Sequence, residues 1–168
     1  MTEKIPLSEL TDRMKRFRAR MDAETPDWEL AAFFGRINQY YFTGTMQDGV
    51  LLVPRDGEPV FWVRRSFESA GDESLFSGIR PMRSFRDAAA TGSAVPRKII
   101  HLETELAPVA LVERFRKHFP CHEVASLDAQ VARVRSVKSP YELAIMERCG
   151  AMHGASWKRT CRRCCARG

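Results

Sequence analysis

No apolar run in this chain approaches the about 20 residues that a membrane-spanning helix requires. The richest stretches, Val50 to Val53 and Val60 to Val63, are short and interrupted, so no membrane partner is expected. The opening MTEKIPLSEL has acidic residues and no apolar core of a secretory signal, which makes a cytoplasmic location the default expectation. Also missing are a G-x-S-x-G elbow, a Walker-type phosphate loop and an H-E-x-x-H helix. Serine-hydrolase, phosphate-loop and zincin chemistry therefore lack their sequence signatures. From Ser156 onward acidic residues are absent while Lys158, Arg159, Arg162, Arg163 and Arg167 are present. Without that tail, 22 basic residues face 21 acidic ones, so the basic balance belongs to the tail and the body is nearly neutral. A nearly neutral body lacks the electrostatic term that nucleic-acid binding requires, and no nucleic-acid partner is expected. Cysteine is scarce in the body too: Cys121 and Cys149 stand apart and read as free thiols rather than a disulfide.

What is present reads as alternating helices and strands. Leu7, Leu10, Met14, Phe17 and Met21 recur at spacings of three and four, the stripe of an amphipathic first helix. Trp28 to Phe34, bounded by Pro26 and Gly35, reads as a buried strand, and Asn38 to Gly44 as a short helical turn or loop. GVLLVP and PVFWV flank Arg55-Asp56-Gly57-Glu58, where Asp-Gly marks a tight hairpin turn. A helix is expected over Arg65 to Leu75 with Phe67, Ala70 and Leu75 inward, then strands at Ile79 to Met82, Lys98 to Leu102 and Glu123 to Ala125. Between the last two strands, Pro108 opens a helix with Leu111, Val112 and Phe115 on its apolar face, and Pro120 stops it. Near the end, Ser139-Pro140-Tyr141-Glu142 has the order of a capping box with proline at the first helical position. The helix it starts would carry Tyr141, Ala144, Ile145, Cys149 and Met152 on one face. This pattern predicts an α/β fold with three layers, helices on both faces of a mixed sheet.

Three segments, YYFTGTMQDGVLLVP, FWVRRSFESA and RVRSVKSPYELAIM, resemble the N-terminal domain of the creatinase, prolidase and aminopeptidase P family of X-Pro peptidases. Arg135, Lys138, Ser139, Glu142 and Met146 match the family's interdomain linker helix, and the likeness runs to about Met152. The resemblance implies a ribonuclease H-like mixed sheet in residues 1–135, a linker helix over 136–155, and a homodimer in which this domain overhangs an active site. It also implies that the catalytic residues lie in a separate pita-bread domain beyond the linker. There, carboxylates and a histidine would hold two divalent ions, manganese, cobalt or zinc. No catalytic or metal-binding residue and no cofactor are expected in this chain, which by this reading stops before the catalytic half. The alternative is a stand-alone small-molecule or protein-binding module with the same fold.

Residues 156–168 depart from the family pattern. Read one base out of frame with GC-rich codons, SWKRTCRRCCARG gives an acidic and aliphatic continuation, so an out-of-frame or disordered tail is expected there. Cys161, Cys164 and Cys165 include a C-x-x-C spacing but fall short of the two separated ligand pairs of a structural zinc site. His118, Cys121 and His122 form a compact group at a helix-to-strand turn, where solvation of a helix end is the preferred reading over metal ligation. Arg64 and Arg65, at the junction of a strand and a helix, are the candidates for a substrate carboxylate or partner contact. Tyr40, Tyr41 and Phe42 are expected to pack in the core or an interface rather than to stack on bases.

Overall fold

The structure, a computed structural model, describes residues 4–90 and 97–165, with the backbone alone over 158–165. The chain divides into two compact units, Met1–Val134 and Arg135–Gly168.

The first unit begins with α1 (Leu7–Glu24), whose buried side includes Leu10, Met14, Phe17 and Met21. Leu7, expected in that stripe, stays exposed because the stripe begins a turn later. Then follow β1 (Leu30–Phe33), α2 (Arg36–Thr43), β2 (Gly49–Pro54), β3 (Val60–Val63), α3 (Phe67–Glu73), β4 (Ile79–Pro81), α4 (Phe85–Ala88), β5 (Arg97–Leu102), α5 (Val109–Arg116), β6 (Cys121–Ser126) and α6 (Asp128–Ser136). Six strands form one sheet in the order β4-β3-β2-β1-β5-β6. Only β2 runs against its neighbours: β1 pairs antiparallel with β2 and parallel with β5, and β3 pairs antiparallel with β2 and parallel with β4. The β2–β3 hairpin turns at Gly57, whose φ of 130° is a conformation that side chains resist. Arg18 of α1 reaches this turn, donating to the carbonyls of Pro54 (3.2 Å) and Gly57.

Both faces of the sheet are covered. On one face Phe17, Met21, Phe42, Ala70 and Val131, from α1, α2, α3 and α6, pack over Ala31, Phe33, Leu51 and Phe61. On the other, Ala88 of α4 and Phe115 of α5, with Phe119, pack over Leu30, Ala32, Trp62 and Ile100. The strands at the centre read as continuous apolar runs because both their faces are buried, as β1 shows with all four residues buried.

Several boundaries depart from the sequence pattern. The strand expected over Trp28 to Phe34 is only Leu30–Phe33, since Trp28 reaches the core from the preceding turn and its Nε1 donates to Asp22 at 2.8 Å. In α3 only Ala70 is buried, while Phe67 and Leu75 remain exposed. The expected stripe does not form because α3 starts only after Ser66, at a positive φ of 58°, and ends at Glu73 before Leu75, while Phe76 packs against the core.

The second unit is helical. Within it α7 (Pro140–Cys165) starts at the expected box: the Ser139 amide donates to Glu142 Oε2 at 2.9 Å and the Glu142 amide donates to Ser139 Oγ at 3.1 Å. The helix continues past residue 155 through Cys165. The side chains of Cys161, Cys164 and Cys165, with their C-x-x-C spacing, lie outside the described residues. Among the described residues no helix is long and apolar enough to cross a membrane.

Candidate functional site

The strand order brings the carboxyl ends of the parallel strands β1, β3 and β4 to one edge, where the amino end of β2 joins them. A pocket of about 500 Å³ opens there, lined in part by Phe34, Arg64, Met82, Arg83, Phe85 and Arg114. In open α/β sheets the crevice outside the carboxyl ends of the strands is where ligands bind. Asp48, Gly49, Ser84, Leu111, Lys117 and His118 complete the lining.

Each wall has a local cause. Gly49 pairs with Val63, and a Cβ at Gly49 would sit 2.1 Å from the Trp62 carbonyl oxygen, so the two strands meet closely only with glycine at this position. That approach sets Asp48 beside Arg64. The Arg64 amide donates to the Asp48 carbonyl at 2.7 Å, and Nε and Nη2 donate to Asp48 Oδ2 at 2.9 and 2.7 Å. The apolar wall consists of rings set edge to face: Phe34 and Phe85 have centroids 6.3 Å apart, and each lies 5.4 Å from Phe115. Beside them, α4 starts with a capping box in which Ser84 and Asp87 satisfy each other's backbone. The amides of Arg83 (2.6 Å) and Ser84 (3.1 Å) donate to the Asp87 carboxylate and hold its pKa below the usual range, aided by the charges of Arg83 and Arg86.

Electrostatically the pocket is lopsided. Arg64, Arg83, Arg114 and Lys117 line it together with His118, and Asp48 is the acidic residue among its lining groups.

Beyond the carboxyl end of β5 lies a second charged arrangement. Glu103 is fully buried, and its carboxylate accepts from the amides of Phe34 (2.5 Å) and Gly35 (2.6 Å) and from Asn38 Nδ2 (2.5 Å). These donors stand at the amino end of α2, where a helix presents unpaired amides and favours negative charge. Another buried charge, Arg13 of α1, donates to Glu9 Oε1 at 2.7 Å and to the Tyr41 carbonyl at 2.9 Å, with its guanidinium 4.3 Å from the Tyr41 ring centre. His101, in β5 between Ala31 and Ala125, is buried, and its Nδ1 has no hydrogen-bond partner among the described residues. Burial pushes its pKa below the ordinary value, against the opposing influence of Glu123.

Of the residues singled out from the sequence, Arg64 lines the pocket, whereas Arg65 is exposed and outside the lining. His118 faces the same pocket, Cys121 begins β6 half-buried and His122 is exposed. Among the described residues no group of three or more His, Cys, Asp and Glu side chains is placed to hold a metal ion. Tyr41 and Phe42 are buried, Phe42 against Phe17 and Phe33, whereas Tyr40 is exposed. In the second unit, Lys138 Nζ donates to the Arg135 carbonyl, Ser139 and Glu142 form the box, and Met146 is exposed. The sequence reading missed Glu103, Arg83, Arg114 and Lys117. Arg83 follows a strand as Arg64 does, and Leu111, Arg114 and Lys117 share a helical spacing, the only signals that could have drawn attention to them.

Residues 13–137 match the family model of the creatinase/prolidase N-terminal domain. The chain belongs to that family. Solved structures with the same fold include the prolidase from Pyrococcus furiosus, 22% identical with a TM-score of 0.66 over 80% of this chain and 41% of the other. The X-Pro aminopeptidase from Thermotoga maritima MSB8 is 19% identical, with a TM-score of 0.64 over 78% of this chain and 38% of that one. A third, the creatinase/prolidase N-terminal domain of an X-Pro dipeptidase from Streptococcus pyogenes, is 19% identical, with a TM-score of 0.59 over 71% of this chain and 98% of its own. This creatinase/prolidase N-terminal domain thus spans about two-fifths of the length of the longer relatives and nearly all of the shorter one. No protein of curated function matches it in sequence.

Proposed function

We propose that the chain acts as the non-catalytic N-terminal domain of a metal-dependent X-Pro dipeptidase or aminopeptidase homologue, where it supports dimerisation and caps the active site. The match of residues 13–137 to a domain family described as N-terminal carries this reading. The longer relatives, a prolidase and an X-Pro aminopeptidase, match over only 41% and 38% of their own chains, which leaves room in such proteins for a separate catalytic part. In this reading two divalent ions, manganese, cobalt or zinc, are held by that part. Arg135, Lys138, Ser139, Glu142 and Met146 form the linker to it. The capping box that starts α7 supports this role, because a helix begun so firmly can act as a stiff connector. Arg64 and Arg65 contact substrate or partner from the strand edge, and the protein works in the cytoplasm.

Analytical ultracentrifugation tests the assembly. A dimer of the 19.2 kDa chain is expected, and a monomer at all accessible concentrations would remove the dimerising role. For the capping role, Arg64→Ala in a polypeptide that includes the catalytic part should raise KM for X-Pro peptides with little change in kcat. Unchanged KM would remove Arg64 from that contact.

A further inference from the structure

We propose that the pocket at the carboxyl edge of β1, β3 and β4 binds a small molecule carrying a phosphomonoester on a flat apolar body. The starting point is a charge surplus. The body of the chain is balanced, 22 basic residues to 21 acidic before the tail, yet Arg64, Arg83, Arg114 and Lys117 converge on one cavity with Asp48. Asp48 is committed to Arg64. The neighbouring carboxylate, Asp87, is committed to the amides of Arg83 and Ser84. Arg83 is answered in part by the Asp87 charge, which leaves Arg114, Lys117 and a share of Arg83 as positive charge lining the cavity. A single peptide carboxylate would answer one of them, whereas a phosphomonoester brings a charge of about −1.5 to −2 and three acceptor oxygens.

Donor chemistry favours the same group. Arginine forks match phosphate oxygens in pairs, and lysine adds a point charge. Ser84 Oγ accepts from its own helix in the capping box, which leaves its hydroxyl proton to donate outward. The rest of the ligand is set by the apolar part of the lining, where Phe34, Phe85, Met82 and Leu111 offer surface to a flat body. The volume of about 500 Å³ lies within the range of small-molecule sites. The pocket shares Arg64 with the peptide contact proposed above, and the Gly-Pro titration tells the two occupants apart.

The test is calorimetric titration of the 168-residue chain with AMP, inorganic phosphate, adenosine and Gly-Pro as separate titrants, with amide NMR shifts to locate binding. AMP should saturate one site and shift Gly49 and Ser84, phosphate should act more weakly at the same amides, and adenosine and Gly-Pro should give no saturable heat. Arg83→Ala and Arg114→Ala should each weaken AMP about tenfold or more. Arg83→Lys and Arg114→Lys should lose less, since charge remains while the fork is lost. Raising salt from about 50 to about 200 mM should weaken AMP several-fold, because these cations are exposed. Absence of saturable AMP binding at low salt would overturn the proposal. So would AMP binding unchanged in both alanine variants, which would place it elsewhere, for instance on the basic tail, and so would saturation by Gly-Pro in place of AMP.

Discussion

Glu103 and Arg83 both stand just beyond a parallel strand, β5 and β4 respectively, at the same edge of the sheet, and Phe34 touches both regions. Its amide donates to the Glu103 carboxylate, while its ring lines the pocket that holds Arg83. Around Glu103 the charge is buried and answered by three close donors. Around Arg83, Arg114 and Lys117 the charge is exposed, and among the described residues none of the three forms a close ion pair, Asp87 acting on Arg83 only through its field. The first arrangement spends its electrostatics on holding the fold, because a buried carboxylate persists only when its lone pairs are filled. The second keeps its charge available to a partner at little cost, since water already screens it.

The largest effect is expected where the buried clamp is broken. Glu103→Ala would strand the amides of Phe34 and Gly35 and the Asn38 side chain, and should cost about 3 kcal/mol or more in urea unfolding. Glu103→Gln, which keeps one acceptor oxygen, should cost less. Equal stability of Glu103→Ala and the wild type would end the contrast between the two regions. Gly49→Ala should come next: its Cβ would meet the Trp62 carbonyl at 2.1 Å, and the forced shift should cost about 1–3 kcal/mol and disturb the Asp48–Arg64 pair.

His101 gives a pH-dependent version of the same comparison. Its folded pKa lies below the ordinary 6.5 because burial disfavours the charged ring, so the unfolded chain takes up the proton first. Stability from this residue is complete above pH of about 6.5 and is lost as pH falls through the lower folded value. His101→Leu should flatten the unfolding free energy over that window, and an unchanged slope would show that His101 contributes nothing to it. The smallest effect is expected at the pocket: Arg64→Ala should change stability by less than about 1 kcal/mol, because its ion pair with Asp48 is exposed.

These contrasts also mark what the sequence could reveal. The hairpin at Asp56-Gly57 and the box at Ser139 and Glu142 were legible because turn and cap chemistry acts over a few residues. The mixed α/β fold followed from the alternation of apolar periods, and the family from motifs within single segments. The Glu103 clamp was not legible, since its partners Phe34, Gly35 and Asn38 lie 65 to 69 residues away and meet it only because β5 pairs with β1. The inward face expected for α3 failed because the helix starts only after Ser66 and ends at Glu73, before Leu75. At the pocket only Arg64 and His118 drew notice in the sequence. The strand-end position of Arg64 is local, whereas Arg83 and Arg114 reach the pocket through the packing of α4 and α5 on one face of the sheet.

The non-catalytic reading is tested most directly by incubating the purified 168-residue chain with X-Pro dipeptides and tripeptides in the presence of manganese, cobalt or zinc and measuring released amino acids. No release above the metal-only control is expected with any of the three ions. Sustained, metal-dependent turnover that copurifies with the chain would contradict it and would require a catalytic centre within these residues.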